Sequence, residues 1–329
     1  ETVITWVEEN PQDDIYIVAG EYKEYRQSTG SVLAQVFLQQ ADDALAQKYL
    51  DTTAQYIAMY NKLLGPYPYT KFALVENFWE TGYGMPSFTL LGPKVIRFPF
   101  ILHSSYPHEI LHNWWGNGVY VDYDSGNWAE GLTAYLADHL IKEQRGAGAE
   151  YRRSVLQKYT DYVNSERDFA LTEFRSRHSS STESVGYGYT MMLFHMLRRQ
   201  MGDADFVRAL RRFYRENKFK LASFTDLQTV FKHASDINID REFDQWVKRS
   251  GAPSLKLNFA KAESVGQGFH LNMEIEQTQS APSYILKVPV AVHLEGEDQA
   301  FQTVVELQAK KQSVQLQLPA QPLRIDIDP

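Results

Sequence analysis

The strongest constraint on this chain lies between Ser104 and Gly146. There Pro107-His108-Glu109-Ile110-Leu111-His112 is followed by Asn127-Trp128-Ala129-Glu130-Gly131. Ser104 or Ser105 suits a helix N-cap, Pro107 its first turn and Gly116 its far end. A helix over this stretch puts His108 and His112 on one face, one turn apart, where two imidazoles reach a single metal ion. Glu109 beside them is placed to hold a water and take its proton. A catalytic site of this kind needs a third protein ligand and one position left open, and with zinc a carboxylate commonly fills the third place. Glu130 is the candidate. Its rival reading is a capping box, Asn127-x-x-Glu130, at the start of the next helix. Chance reproduces poorly the combination of HExxH, a Trp-Trp-Gly-Asn run (Trp114 to Asn117) and Asn-Trp-Ala-Glu-Gly. The pattern therefore favours one zinc ion per chain, held by His108, His112 and Glu130.

At 329 residues the chain suits two domains, and its 43% apolar and 22% charged residues are those of an ordinary globular protein with a large core. A net charge of −8 without a basic run argues against nucleic acid or an anionic membrane surface as the main partner. The absence of cysteine removes disulfides, cysteine-ligated metal and a thiol nucleophile together. No apolar run approaches the roughly 18 residues of a membrane-spanning helix, and the start of the sequence lacks the pattern of a signal peptide.

Taken in order, Asp14 to Gln39 reads as strands, with Ile15 and Ile17 alternating and a Ser-Thr-Gly turn before Val32; a small, mostly antiparallel sheet is expected. Ala41 to Leu64 has helical spacing, stopped by Gly65-Pro66. Phe72 to Val75 reads as a buried strand leading to Gly82-Tyr83-Gly84-Met85. Glycines in such a context mark either an edge strand that another backbone approaches, such as an extended peptide substrate, or a plain loop. Arg167 to Glu183 is polar and reads as a loop. Tyr187 then stands at the entry of a helix running to Gln200, where a tyrosine is ordinarily a packing residue. Three further helical stretches follow, and from Pro253 the apolar period changes to two, as in a β-sandwich.

These motifs resemble the zinc aminopeptidases of the alanyl aminopeptidase and leukotriene hydrolase family, gluzincin metallopeptidases. Their signature is HExxH, then tryptophan-x-glycine-asparagine, then asparagine-x-x-glutamate-glycine. Here the segment between His112 and Glu130 is one residue shorter than usual, a deletion that the loop from Val119 to Gly126 can absorb. The resemblance implies an α+β fold: a thermolysin-like catalytic domain, with its small sheet and helical subdomain, over 14–250, followed by a β-sandwich over 251–329. Residues 1–13 would be the remnant of a preceding β domain or a linker. It also implies that Gly82, Tyr83, Gly84 and Met85 form the strand whose backbone holds the peptide, and that the Tyr187 hydroxyl faces the zinc site. Two departures stand out. No glutamate falls at the position that grips the substrate amine, although Glu76 and Glu80 are nearby, and Tyr189 and Thr190 replace the family's lysine and glycine. The expected function is a zinc-dependent peptidase that takes a peptide substrate, of the aminopeptidase type. The alternatives are a peptidase indifferent to a free N-terminal amine, and a catalytically silent zinc-containing scaffold or binding protein.

Overall fold

The structure is a computed structural model that describes residues 5, 7–12, 14–80 and 82–329. Glu1, Trp6 and Thr81 lie outside the described residues, as do several other positions of the expected remnant. The chain divides into two compact units, Glu1–Ser250 and Gly251–Pro329.

In the first unit, β1 (Lys23–Thr29) and β2 (Val32–Leu38) make a hairpin in which Thr29 faces Val32. Gly30 turns it at φ +61°, a conformation most side chains avoid. β2 alternates buried Val32, Ala34, Val36 and Leu38 with half-buried neighbours, the pattern of a strand covered on one face. α1 (Asp43–Leu63) follows, its N-terminus capped by the Asp42 carboxylate, which accepts from the Leu45 amide at 2.9 Å. Its buried stripe of Tyr49, Tyr56, Ile57 and Tyr60 matches the helical spacing of the sequence. The helix carries the chain back, so β3 (Lys71–Glu76) pairs with β2 in parallel. β4 (Gly82–Met85) and β5 (Phe88–Leu91) complete a sheet of order β1-β2-β3-β5-β4, with β4 at one edge.

Two junctions of this sheet are antiparallel and two are parallel, so it is mixed rather than mostly antiparallel. Apolar alternation carries no sign of strand direction, which the connections decide. Asp14 to Tyr22, expected to join the sheet, contains no strand, and Ile15 and Ile17 are each 83% exposed. Period-two spacing makes a strand only when a neighbour pairs with it, and none does here among the described residues.

After short 3₁₀ turns at Val95–Arg97 and Pro99–His103 comes α2 (Ser105–Leu111), the HExxH helix. Only seven residues long, it is held by rings. Tyr106 meets Tyr49 of α1 edge-on at 4.8 Å, and Trp114 packs at 5.5 Å from Tyr60 and 5.2 Å from Tyr67. Burying each such side chain stabilises by roughly 2–3 kcal/mol, far more than the helix's own propensity supplies.

The chain turns at Gly116 (φ +108°), adds β6 (Tyr120–Val121) and enters α3 (Ala129–Ala134). That helix runs through a π-helical turn, Tyr135–His139, into α4 (Leu140–Gln144). α5 (Gly148–Tyr162) comes next. The expected loop from Arg167 to Glu183 contains a 3₁₀ turn, Leu171–Glu173, and α6 (Ser180–Glu183), where Ser179 and Thr182 form a capping box. A second π turn, Ser184–Tyr189, leads into α7 (Thr190–Met201). Then come α8 (Asp203–Asn217), β7 (Leu221–Ala222), which pairs in parallel with β6, α9 (Phe224–Ala234) and α10 (Ile239–Trp246).

The second unit comprises β8 (Leu255–Val265), β9 (Gly268–Gln277), β10 (Leu286–Leu294), β11 (Phe301–Leu307), β12 (Lys311–Leu318) and β13 (Pro322–Ile327). They form two antiparallel sheets, β12-β9-β8 and β11-β10-β13. Leu271, Met273 and Ile275 of one sheet and Val288, Val290 and Val292 of the other are buried, as in a sandwich core.

Candidate active site

α2 carries His108 and His112 on one face, and α3 brings Glu130 to them across the shortened connection. Glu130 Oε2 lies 3.5 Å from Nε2 of His108 and 3.4 Å from Nε2 of His112. The three ligating atoms all fall within 4.8 Å of one another. Glu130 Oε2 is buried and has no hydrogen-bond partner among the described residues. A desolvated carboxylate oxygen left without a donor is unfavourable on its own, and facing two imidazole nitrogens it fits a divalent cation such as zinc. The rival capping box does not form. Asn127 instead accepts from the Ala129 amide through Oδ1 at 3.1 Å and donates through Nδ2 to the Arg175 carbonyl at 3.0 Å, which leaves Glu130 to the histidines.

Both histidines are aimed from behind. His108 Nδ1 is 3.0 Å from Asp138 Oδ2, and His112 Nδ1 is 3.0 Å from the Trp115 carbonyl. Occupying Nδ1 in this way directs the Nε2 lone pairs at the centre. Burial works against charge on His108, yet Asp138 and Glu130 outweigh it and hold the imidazole well above its ordinary range. His112 is likewise opposed by burial and raised by Glu130. Burial pushes Glu130 up, but His112 and His108 pull it further down, so it stays a carboxylate. Protons and a divalent cation thus compete for one place.

Asp138 is not singled out by the sequence. It lies in the π turn Tyr135–His139, and the extra residue in that turn changes which positions share a face. The only sequence signal was a carboxylate two turns past Glu130. Asp138→Asn keeps the shape and loses the charge. Zinc titration of the metal-free variant should show affinity lowered by about 10- to 100-fold, and an unchanged affinity would remove Asp138 from the site.

The Glu109 carboxylate lies against β4, beside the candidate ligand cluster. A Cβ built on Gly84 would come 2.6 Å from Glu109 Oε2, and one on Gly82 would lie 3.9 Å from Oε1. The close approach that Gly84 permits is therefore to this carboxylate, with the His112 side chain next at 3.4–3.5 Å, whereas at Gly82 the contact is ordinary. Burial raises the Glu109 carboxyl above its ordinary range, with the two histidines pulling in the opposite sense. Because the clash at Gly84 is with the end of a side chain, Gly84→Ala should fold with melting temperature nearly unchanged. The methyl would displace the Glu109 carboxylate and lower kcat by about tenfold or more, and wild-type kcat in the folded variant would contradict this arrangement.

Gly82, Tyr83 and Gly84 line a cleft of about 1330 Å³ that also contains the three candidate ligands, Glu109 and Tyr187; Met85 does not border it. Tyr187 comes from the second π turn, its ring stacked 6.3 Å from that of His108. Burial and then the Glu130 carboxylate push its phenol far above the usual range, so it remains a donor. Glu76 and Glu80, the substitutes considered for an amine-binding acid, are engaged elsewhere. Glu76 is 2% exposed, accepts from the Gln39 amide at 2.7 Å and pairs with Arg97 at 2.8 Å. Glu80 accepts from the Lys94 and Val95 amides at 3.2–3.3 Å. Neither borders the cleft.

An HExxH helix completed by a glutamate from the following helix, in an α+β unit of this topology, defines the gluzincin class. Comparison with known proteins agrees. Residues 103–246 match the family described as "Peptidase family M1 domain". Human aminopeptidase B is 24% identical over 255 residues, covering 68% of this chain and 38% of that protein. Aminopeptidase N of Haemophilus influenzae is 25% identical over 170 residues, 49% of this chain and 19% of that protein. The crystal structure of Legionella pneumophila aminopeptidase A in complex with aspartic acid superposes with a TM-score of 0.73 at 13% identity, over 94% of this chain and 37% of that one. The chain thus spans well under half the length of these relatives. These similarities support the alanyl aminopeptidase type of gluzincin metallopeptidases as the family that this chain resembles.

Proposed function

We propose that this protein is a zinc-dependent peptidase of the aminopeptidase type, with His108, His112 and Glu130 as the metal ligands. The observation that carries the reading is the buried, unpartnered Glu130 Oε2 facing the Nε2 atoms of His108 and His112. When bound, zinc would supply Lewis-acid chemistry, polarising the scissile carbonyl and making a water acidic enough to attack it. Glu109 takes the proton from the attacking water and delivers it to the leaving nitrogen. Tyr187, protonated and facing the same centre, donates a hydrogen bond to the oxygen that gains charge as water adds. β4, which among the described residues pairs only with β5, offers its outer edge to an extended peptide, as in β-strand addition. An intact Glu109 at the ligand cluster weighs against a silent scaffold.

The engagement of Glu76 and Glu80 favours a second reading, hydrolysis that does not require the substrate's free amine. Two measurements on the full chain decide. Metal analysis should find one zinc per chain, and hydrolysis should stop with a chelator and return with zinc. Comparing a peptide with its N-acetylated form then separates the readings: aminopeptidase action is lost on acetylation, and amine-independent action survives. A chain free of zinc after purification and inert with added zinc would sink both.

A further inference from the structure

Among the described residues four carboxylates line the cleft: Glu109, Glu130, Asp138 and Glu183. The first three serve as base, ligand and support of His108. Glu183 remains, and it is shared by two cations, with Lys158 at 3.4 Å and Arg177 at 3.5 Å. On this stretch of the lining Lys158 and Arg177 outnumber Glu183, while the Glu130 and Glu109 carboxylates also act on Tyr187. Arg177 is the nearer to the chemistry, its guanidinium carbon 5.8 Å from the centre of the Tyr187 ring. Its side chain is 58% exposed and lines the cleft, so most of its donors are open to whatever enters.

The backbone that carries Arg177 is pinned on both sides. Before it, the Asn127 amide and side chain donate to the Phe174 and Arg175 carbonyls, and Arg175 Nη2 reaches the Asp124 carbonyl. After it, the His178 and Ser179 amides both donate to Thr182 Oγ1, within the capping box of α6. The same asparagine that opens the Glu130 helix thus also fixes the loop holding Arg177. A guanidinium fork matches a carboxylate with two parallel hydrogen bonds. The long, half-exposed contact to Glu183 is weak by comparison and leaves that geometry unused.

We propose that Arg177, assisted by Lys158, binds a carboxylate of the peptide within one residue of the cleaved bond. The substrates favoured are then peptides acidic at that point. This rests on the peptidase reading above. The carboxylate has two possible sources, an aspartate or glutamate side chain, or the C-terminus of a short peptide.

The test uses the zinc-loaded full chain and matched peptides: glutamate against glutamine on either side of the bond, and a C-terminal acid against its amide. Each is assayed with free and acetylated amines, so that amine dependence does not mask the result. The expected result is kcat/KM about tenfold higher for the acid member of one pair, expressed mainly in KM. The glutamate pair or the C-terminal pair identifies the source. In Arg177→Ala that ratio should fall toward one, Arg177→Lys should keep part of it, and Arg177→Glu should reverse it in favour of lysine peptides. Equal rates for acid and amide in the parent, or a ratio that survives in Arg177→Ala, would overturn the inference while leaving peptide hydrolysis standing. If no peptide were cleaved, the peptidase reading would fall. Calorimetric binding of the same pairs would then decide the inference, with equal affinities ending it.

Discussion

Replacing Glu109 by glutamine should leave one zinc per chain and lower kcat by about a thousandfold or more. The candidate ligand atoms gathered in this site belong to His108, His112 and Glu130, and the Glu109 carboxylate lies beside them against Gly84 of β4. Glutamine fills the same volume against Gly84, so the helix and the cleft keep their shape. Its amide cannot accept the proton of an attacking water. Because burial already disfavours charge at this position, the neutral variant should melt at the same temperature as the parent or higher. Zinc by elemental analysis, kcat on a peptide and melting temperature together separate the roles. A variant that loses zinc would make Glu109 a ligand, and one within tenfold of parental kcat would remove it as the base.

Tyr187→Phe should lower kcat by about a hundredfold with KM and zinc content nearly unchanged. The ring lies edge-on to Phe174 at 6.0 Å and stacked against His108, contacts that phenylalanine retains. What disappears is one donor, and a donor aimed at charge that exists mainly in the transition state affects kcat rather than KM. The raised phenol adds a pH signature. Burial and Glu130 keep the proton on Tyr187 beyond its ordinary value of about 10, so the parent should show no alkaline loss of kcat assignable to this residue. Full activity in the phenylalanine variant would dismiss the hydroxyl from the mechanism.

The gathering of His108, His112 and Glu130 was largely legible in the sequence because its rule is local. His108 and His112 are four residues apart, and any helix puts them on one face. Glu130 was legible through its place in a known pattern, with a cap as the rival reading. The roles open to Glu76 and Glu80 were not legible, since they depend on Arg97, the Gln39 amide and the Lys94 amide, partners distant in the chain. Asp14 to Tyr22 misled for the matching reason: its alternation is that of a strand, and pairing partners cannot be read from alternation.

By itself the sequence determined which side chains are chemically able to make a metal centre, the helices that carry them, and the change from helical to strand period at Pro253. Helical and strand spacings are properties of neighbouring residues and survive without knowledge of the fold. Only the tertiary structure decided the mixed direction of the sheet, the reach of Asp138 to His108 through a π turn, the contact of Gly84 with Glu109 and the place of Arg177 beside Tyr187. Each of these brings together groups far apart in the chain, or turns on a shift of helical register that no local spacing encodes.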